Sequence, residues 1–201
     1  MTSPGRGSAP QPHEVRLIGG EWKRSKLPVA DKPGLRPTPD RVRETLFNWL
    51  GQDLSGWRVL DAFAGSGALG FEAASRGAAE VVLLERDAEL VRSLRASQVR
   101  LKANALRIEA ADALAWMARC PAASFDLVLL DPPFTGDLLT PALQAAAPLV
   151  APPGWLYVES GAPLSDAPPG FETWRSGRAG AVFFQLLRRS SYTAAEPSDQ
   201  E

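Results

Sequence analysis

Through the middle of the chain, short apolar runs alternate with stretches in which apolar residues recur every three or four positions. Val59-Leu60 before Asp61, Val81-Val-Leu-Leu before Glu85, Leu106-Arg-Ile-Glu-Ala, Phe125-Asp-Leu-Val-Leu-Leu before Asp131 and residues 155–159 read as strands. The fourth is nearly continuous in apolar residues, as a strand covered on both faces must be. Helices are predicted over 67–76, stopped by Gly77, over 87–101 with Leu90, Val91, Leu94 and Leu101 on one side, over 113–119 and over 138–149. Such alternation marks βαβ units, so the expected fold is α/β and Rossmann-like: a mostly parallel seven-stranded sheet with helices on both faces. Segments 171–175 and 181–188 predict a closing antiparallel pair.

Upstream, residues 15–29 predict a small basic hairpin around Gly19-Gly20, followed by a helix to about residue 50. Thr38 is suited to cap that helix and Pro39 to start it, with Val42, Leu46, Trp49 and Leu50 on the buried face. The expected organisation is a disordered leader (1–14), a basic RNA-binding extension (15–51), a catalytic domain (52–189) and a disordered tail (190–201).

The first strand runs into Asp61-Ala-Phe-Ala-Gly-Ser-Gly-Ala-Leu-Gly, where Gly65, Gly67 and Gly70 fit G-x-G-x-x-G. Glycines there let the backbone turn sharply, approach a ligand closely and pack helix against strand. Glu85 ends the next strand twenty residues past Gly65, the spacing of a carboxylate that grips ribose hydroxyls. A dinucleotide would bring its pyrophosphate near Asp61, whereas the amino and sulfonium charges of S-adenosylmethionine suit a carboxylate there. That methyl donor is the cofactor expected. Its candidate contacts are Asp61, Ala62, Gly65, Ser66, Gly67, Glu85, Arg86, Asp112 and Ala113. Asp112 sits where a carboxylate can bond an adenine amino group, and it is also placed to cap the following helix.

Composition narrows the partners. With 201 residues, 45% hydrophobic and 22% charged, the chain has one sizeable core and no run of membrane-spanning length, and a cytoplasmic monomer is expected. One cysteine, Cys120, and one histidine, His13, exclude intrachain disulfides and disfavour a Cys/His metal site or a histidine base. The net charge of -1 is uneven. Residues 15–43 carry eight basic side chains against three acidic ones, Glu21, Asp31 and Asp40, so a polyanion would meet this end first. Arg16, Trp22, Lys23, Arg24, Lys26, Arg36, Arg41 and Arg43 are the candidate RNA contacts. Trp22 reads equally as a base-stacking residue or as one packed on the domain.

Asp131-Pro-Pro-Phe lies at the carboxyl end of the fourth strand, beside the cofactor crevice. An exocyclic base nitrogen is a poor nucleophile because its lone pair is delocalised into the ring. Asp131 and the Pro132 carbonyl can each accept one of its N–H groups, Pro133 helps to fix that carbonyl, and Phe134 can stack on the base.

Together with Arg16-Leu-Ile-Gly-Gly-Glu-Trp and Arg36-Pro-Thr-Pro-Asp-Arg-Val-Arg-Glu-Thr-Leu-Phe-Asn-Trp-Leu, these motifs resemble the bacterial methyltransferase D family of the small ribosomal subunit, over about residues 15–188. The resemblance implies a class I methyltransferase fold and methyl transfer from S-adenosylmethionine to N2 of one guanine in 16S ribosomal RNA, on a partly assembled subunit. It also implies that Asp61, Gly65 and Gly67 hold the methionine part, Glu85 the ribose, Asp112 and Ala113 the adenine, and residues 131–134 the guanine. Thr38 and residues 41–43 fall near cofactor or RNA. The alternatives are an adenine-N6 or cytosine-N4 DNA methyltransferase, for which the chain has no evident target-recognition domain, an NAD-linked oxidoreductase, and a non-catalytic RNA-binding assembly factor.

Overall fold

The computed structural model describes residues 13–30, 38–134 and 137–190. Arg36, most of the expected leader and nearly all of the expected tail lie outside these residues. Two short strands, β1 (His13–Arg16) and β2 (Lys26–Val29), pair antiparallel and are followed by helix α1 (Asp40–Leu50). There follow β3 (Arg58–Asp61), α2 (Ala68–Ser75), β4 (Glu80–Glu85), α3 (Ala88–Leu101), β5 (Leu106–Ala110), α4 (Ala113–Met117), β6 (Phe125–Leu130) and α5 (Leu139–Ala146). A 3-10 turn (Ala147–Leu149), β7 (Val150–Ser160), β8 (Phe171–Ala179) and β9 (Val182–Arg189) complete the described chain.

The seven-stranded sheet has the order β5-β4-β3-β6-β7-β9-β8. β3 to β7 run parallel, and β9 reverses direction between β7 and β8. The expected mostly parallel α/β sheet is therefore observed. The central strands β3, β4 and β6 are nearly continuous in apolar, buried residues because both faces are covered there. Val59, Val81, Leu83, Leu127 and Leu129 face one cluster with Phe71 of α2 and Leu94 of α3, whereas Leu60, Val82, Leu84, Val128 and Leu130 face the other with Met117 of α4 and Ala142 of α5. Among the described residues no helix is long and apolar enough to cross a membrane.

The N-terminal elements share the first of these clusters through Val15, Leu17, Leu27, Val29, Val42, Leu46 and Phe47. Strand alternation explains the hairpin: Lys26 and Pro28 are exposed, and Leu27 and Val29 are buried. Enclosed between sheet and hairpin, all eight residues of α2 are buried, including Glu72.

Several boundaries differ from the sequence reading. α1 buries Val42, Arg43, Leu46 and Phe47, so its inner face is rotated from the expected one, and Trp49 and Leu50 are only half-buried. Trp49 instead stacks on Phe184, with ring centroids 5.4 Å apart. Pro39 occupies the cap position without a side-chain hydrogen bond, so Thr38 does not cap. β7 begins five residues before position 155, and its pairing with β6 shifts register after Phe125. β8 continues through Ser176 and Gly177 because the Phe184 ring occupies the space of a Gly177 side chain: a Cβ there would lie 2.4 Å from the ring.

Candidate active site

The carboxyl ends of β3, β4, β6 and β7 finish in or run directly into Asp61, Glu85, Asp131 and Glu159, and Asp112 follows β5 by two residues. In a parallel sheet these ends share one edge, so the chain gathers five acids around a single crevice.

The glycine loop is built for close approach. Gly65 and Gly67 have φ of +53° and +81°, a region that favours glycine. A Cβ on Gly67 would come within 2.6 Å of Leu94 and 2.8 Å of Phe71. Gly70 lets α2 lie against β3, since its N–H donates to Asp61 Oδ2 at 2.9 Å and a Cβ there would be 3.0 Å from that oxygen. Glu85 closes the loop from the neighbouring strand: Gly65 N–H donates to its Oε2 at 3.0 Å and Asp87 N–H to its Oε1 at 2.8 Å. Ala62 is buried, Ser66 half-buried and Arg86 exposed. Asp112 is exposed and accepts Ala115 N–H at 2.9 Å, capping α4 in front of buried Ala113.

Burial raises Asp61 to a pKa of about 7, against the lowering effect of the Gly70 and Phe63 N–H groups, and the charges of Glu85 and Glu159 add to the rise. Asp131, partly buried, is pushed well above the usual carboxylate range by burial and then by the charges of Glu159 and Asp61. Thr38 Oγ1 donates to Asp131 Oδ2 at 3.3 Å, which fixes the start of the N-terminal helix beside this strand end. Pro132 is buried, Pro133 exposed and Phe134 50% exposed, with its ring about 4 Å from where a Gly161 side chain would begin. Phe134 is thus a large aromatic face left open beside Asp131. A cavity of about 600 Å³ between α5 and the segment before β8 contains none of these residues.

The basic extension divides in two. Arg16, Lys23, Arg24, Lys26 and Arg41 are exposed. Arg16 lies 3.6 Å from Asp40, and Lys26 pairs with Glu14 at 2.7 Å, with both cations more than half exposed. Arg43 corrects the sequence reading, because a side chain with no exposed surface cannot meet RNA. Its guanidinium donates to Glu72 Oε2 at 3.1 Å, to the Arg16 carbonyl at 2.9 Å, to the Thr38 carbonyl at 3.2 Å and to Asp40 Oδ1. Glu72 also binds Arg76 and accepts Ile18 and Gly19 N–H. Arg43 therefore ties hairpin, helix and α2 together. Trp22 packs edge-on to Phe71 at 6.4 Å between centroids, in keeping with the packing reading, and its backbone N–H donates to Ser75 Oγ at 2.9 Å.

Sequence reasoning missed Glu159, which is 2% exposed and accepts the Tyr157 hydroxyl at 2.9 Å. Its signal was available: like Glu85 and Asp131, it is an acid at the end of an apolar strand.

The chain is similar to known proteins over most of its length. The family profile described as conserved hypothetical protein 95 matches residues 15–188. Ribosomal RNA small subunit methyltransferase D of Escherichia coli (strain K12) is 41% identical over 186 residues, covering 89% of this chain and 91% of that protein. The protein of the same name from Haemophilus influenzae is 42% identical over 154 residues, covering 73% of this chain and 79% of its own. Among solved structures, yhhF from Escherichia coli superposes with a TM-score of 0.81 and 37% identity, over 90% of this chain and 100% of that one.

Proposed function

The chain belongs to the ribosomal RNA small subunit methyltransferase D family, and from that premise we propose that it methylates the exocyclic N2 of one guanine in 16S ribosomal RNA, in the small subunit or its assembly intermediate. The observation that carries this reading is the adjacency of β3 and β6. These neighbours in the sheet end in a glycine loop and in Asp131-Pro-Pro-Phe, so a cofactor cradle and an amine-holding site open on one crevice.

S-adenosylmethionine, the family's methyl donor, supplies a methyl group already activated by its sulfonium charge. The residues present fit it. The space a Gly67 side chain would fill is taken by Leu94 and Phe71, leaving the loop backbone as the cradle wall, and the surrounding acids favour a cation over a phosphate. Asp61, Ala62, Gly65, Ser66 and Gly67 would hold the methionine part, Glu85 and Arg86 the ribose side, and Asp112 and Ala113 the adenine. A guanine swung out of its stack would rest on Phe134, with one N2–H on Asp131 and the other on the Pro132 carbonyl. This holds the N2 lone pair toward the methyl group, and positioning supplies much of the rate gain. The exposed Arg16, Lys23, Arg24, Lys26 and Arg41 would contact RNA phosphates.

The test is to incubate the protein with methyl-labelled S-adenosylmethionine and small subunits lacking the modification, digest the RNA and identify the labelled nucleoside. N2-methylguanosine at one position is expected. Label in another nucleoside, or methylated adenine in DNA, would overturn the assignment.

A further inference from the structure

The turn between β8 and β9 lies at the same edge of the sheet as the crevice, because β9 runs antiparallel to β7 and begins opposite its end. Ser160 faces Phe183 across β7 and β9, and Phe183 faces Arg178 across β9 and β8. A cavity of about 370 Å³ opens there, lined by Pro163, Ser176, Gly177, Arg178, Phe183 and Gln185. Strand alternation explains this set. Phe183 and Gln185 share one face of β9, and their partners Arg178 and Ser176 share it on β8. Phe184 turns the other way into the core, where its ring takes the space of a Gly177 side chain. Two strand spacings, about 10 Å, separate Ser160 from Arg178. Gly161, the next residue after Ser160, abuts the Phe134 ring, and Pro163 lines the cavity. Residues 161–163 are therefore the partition between the cavity and the proposed guanine platform.

The cavity offers donors on a fixed frame. The Arg178 guanidinium lies over the Phe183 ring, 4.9 Å from its centroid, and its Nε donates to the Gly180 carbonyl at 2.8 Å. Those two contacts set the plane of the fork and leave its terminal N–H groups to bind a ligand. Among the described residues no carboxylate pairs with Arg178. Gln185 Oε1 accepts Leu164 N–H at 3.1 Å, which leaves its NH2 as the group it can offer. Ser160 Oγ donates to the Ala162 carbonyl at 2.6 Å, so the partition is tied at both ends. A stacked guanidinium, an amide NH2 and a hydroxyl suit a ligand that carries both an anionic group and neutral acceptors. A nucleotide has both, in its phosphate and in its base and sugar.

We propose that this cavity is a second RNA subsite that takes the nucleotide next to the target guanine, with its phosphate on Arg178 and an acceptor of its base or sugar on the Gln185 NH2. The inference rests on the reading under Proposed function, since a guanine on Phe134 is what brings its neighbour across the partition. The N-terminal hairpin packs on one face of the sheet, and Phe183 and Gln185 share the opposite face with Leu187. RNA held by both crosses the strand ends between them, where the cofactor and Asp131 lie.

The test measures binding to small subunits lacking the modification at several salt concentrations, together with hydroxyl-radical footprints of the bound RNA. For Arg178→Ala, Kd is expected to rise about fivefold or more, and the slope of log K against log salt to fall by about one. The footprint should lose its backbone protection beside the target guanine, while Tm and cofactor affinity stay at wild-type values. Gln185→Glu keeps an acceptor for Leu164 N–H but sets a carboxylate oxygen in place of the NH2, and it should weaken binding by a similar factor. Arg175→Ala removes the same charge from the same strand outside the cavity, and its Kd should stay within about twofold of wild type. Unchanged binding by Arg178→Ala would leave that arginine only the task of blunting an edge strand, and would overturn the proposal. Equal losses from Arg175→Ala and Arg178→Ala, or weakened binding with an unaltered RNA footprint, as a contact with a ribosomal protein would give, also overturn it. These readouts need binding and not turnover. Wild-type protein that binds subunits but leaves guanine N2 unmethylated fails the earlier reading, whereas methylation of guanine N2 with unchanged Arg178→Ala binding fails this one alone.

Discussion

Asp61 is a structural residue to which the proposed function also gives a chemical role. Its carboxyl anchors α2 through Gly70 N–H, yet burial raises its pKa to about 7, so near neutrality the free protein holds it about half protonated. Contact with the cationic end of the donor favours the ionised form. Below the pKa, binding must therefore expel a proton, and Kd for S-adenosylmethionine should fall by up to about tenfold per pH unit up to about pH 7, then level off. Titration calorimetry between pH 5.5 and 8 checks this, with proton release at the acid end. A flat Kd profile would mean that Asp61 does not meet the donor's charge. Stability runs in the opposite direction: a raised carboxyl pKa gives stability that is complete below the unfolded value and lost as pH rises toward 7.

At the scale of elements, the N-terminal helix is held by charge as much as by apolar packing. Arg43 sits among Val42, Leu46 and Phe47 on the buried face of α1, and its fork reaches Glu72 on α2 and two backbone carbonyls. Removing it leaves Glu72 short of a partner inside the protein. Arg43→Ala should cost about 3–5 kcal/mol in denaturant unfolding, with Arg43→Lys intermediate because an ammonium cannot reproduce the planar fork. A loss below about 1 kcal/mol would show that Arg76 alone satisfies Glu72. The burial of Arg43 was readable in principle, since it stands three and four positions before Leu46 and Phe47, but a basic residue in a basic segment drew it toward RNA. The strands were plain because a doubly covered sheet needs continuous apolar runs. The extension of β8 was hidden because Ser176-Gly177 looks like a break, and only the tertiary contact with Phe184 explains that glycine.

At the scale of the whole molecule, the chain is a cradle with a basic flank. The acids lie at strand ends facing the crevice, while Lys23, Arg24 and Lys26 are exposed on the hairpin, so a polyanion can dock on the flank without crossing the acidic edge. Neutralising these three together should weaken subunit binding and lower the slope of log K against log salt by roughly two to three. An unchanged slope would return them to ordinary solvated surface. Strand order explains why Asp61, Glu85 and Asp131 were identified from sequence: each follows an apolar run, and a parallel sheet brings such ends together. Thr38 was placed near cofactor or RNA by resemblance alone, and its partner was not identifiable, because it reaches Asp131 only through the docking of α1 on the sheet.

The division of labour along that edge is the central claim: cofactor held by the ends of β3, β4 and β5, amine held by the end of β6. Asp131→Ala tests it most directly, with turnover on small subunits and S-adenosylmethionine affinity measured on the same preparation. Expected is a loss of methylation of about a hundredfold or more with Kd for the cofactor within about threefold of wild type. Methylation at the wild-type rate, or loss of cofactor binding in parallel with turnover, would contradict the separation of the two sites.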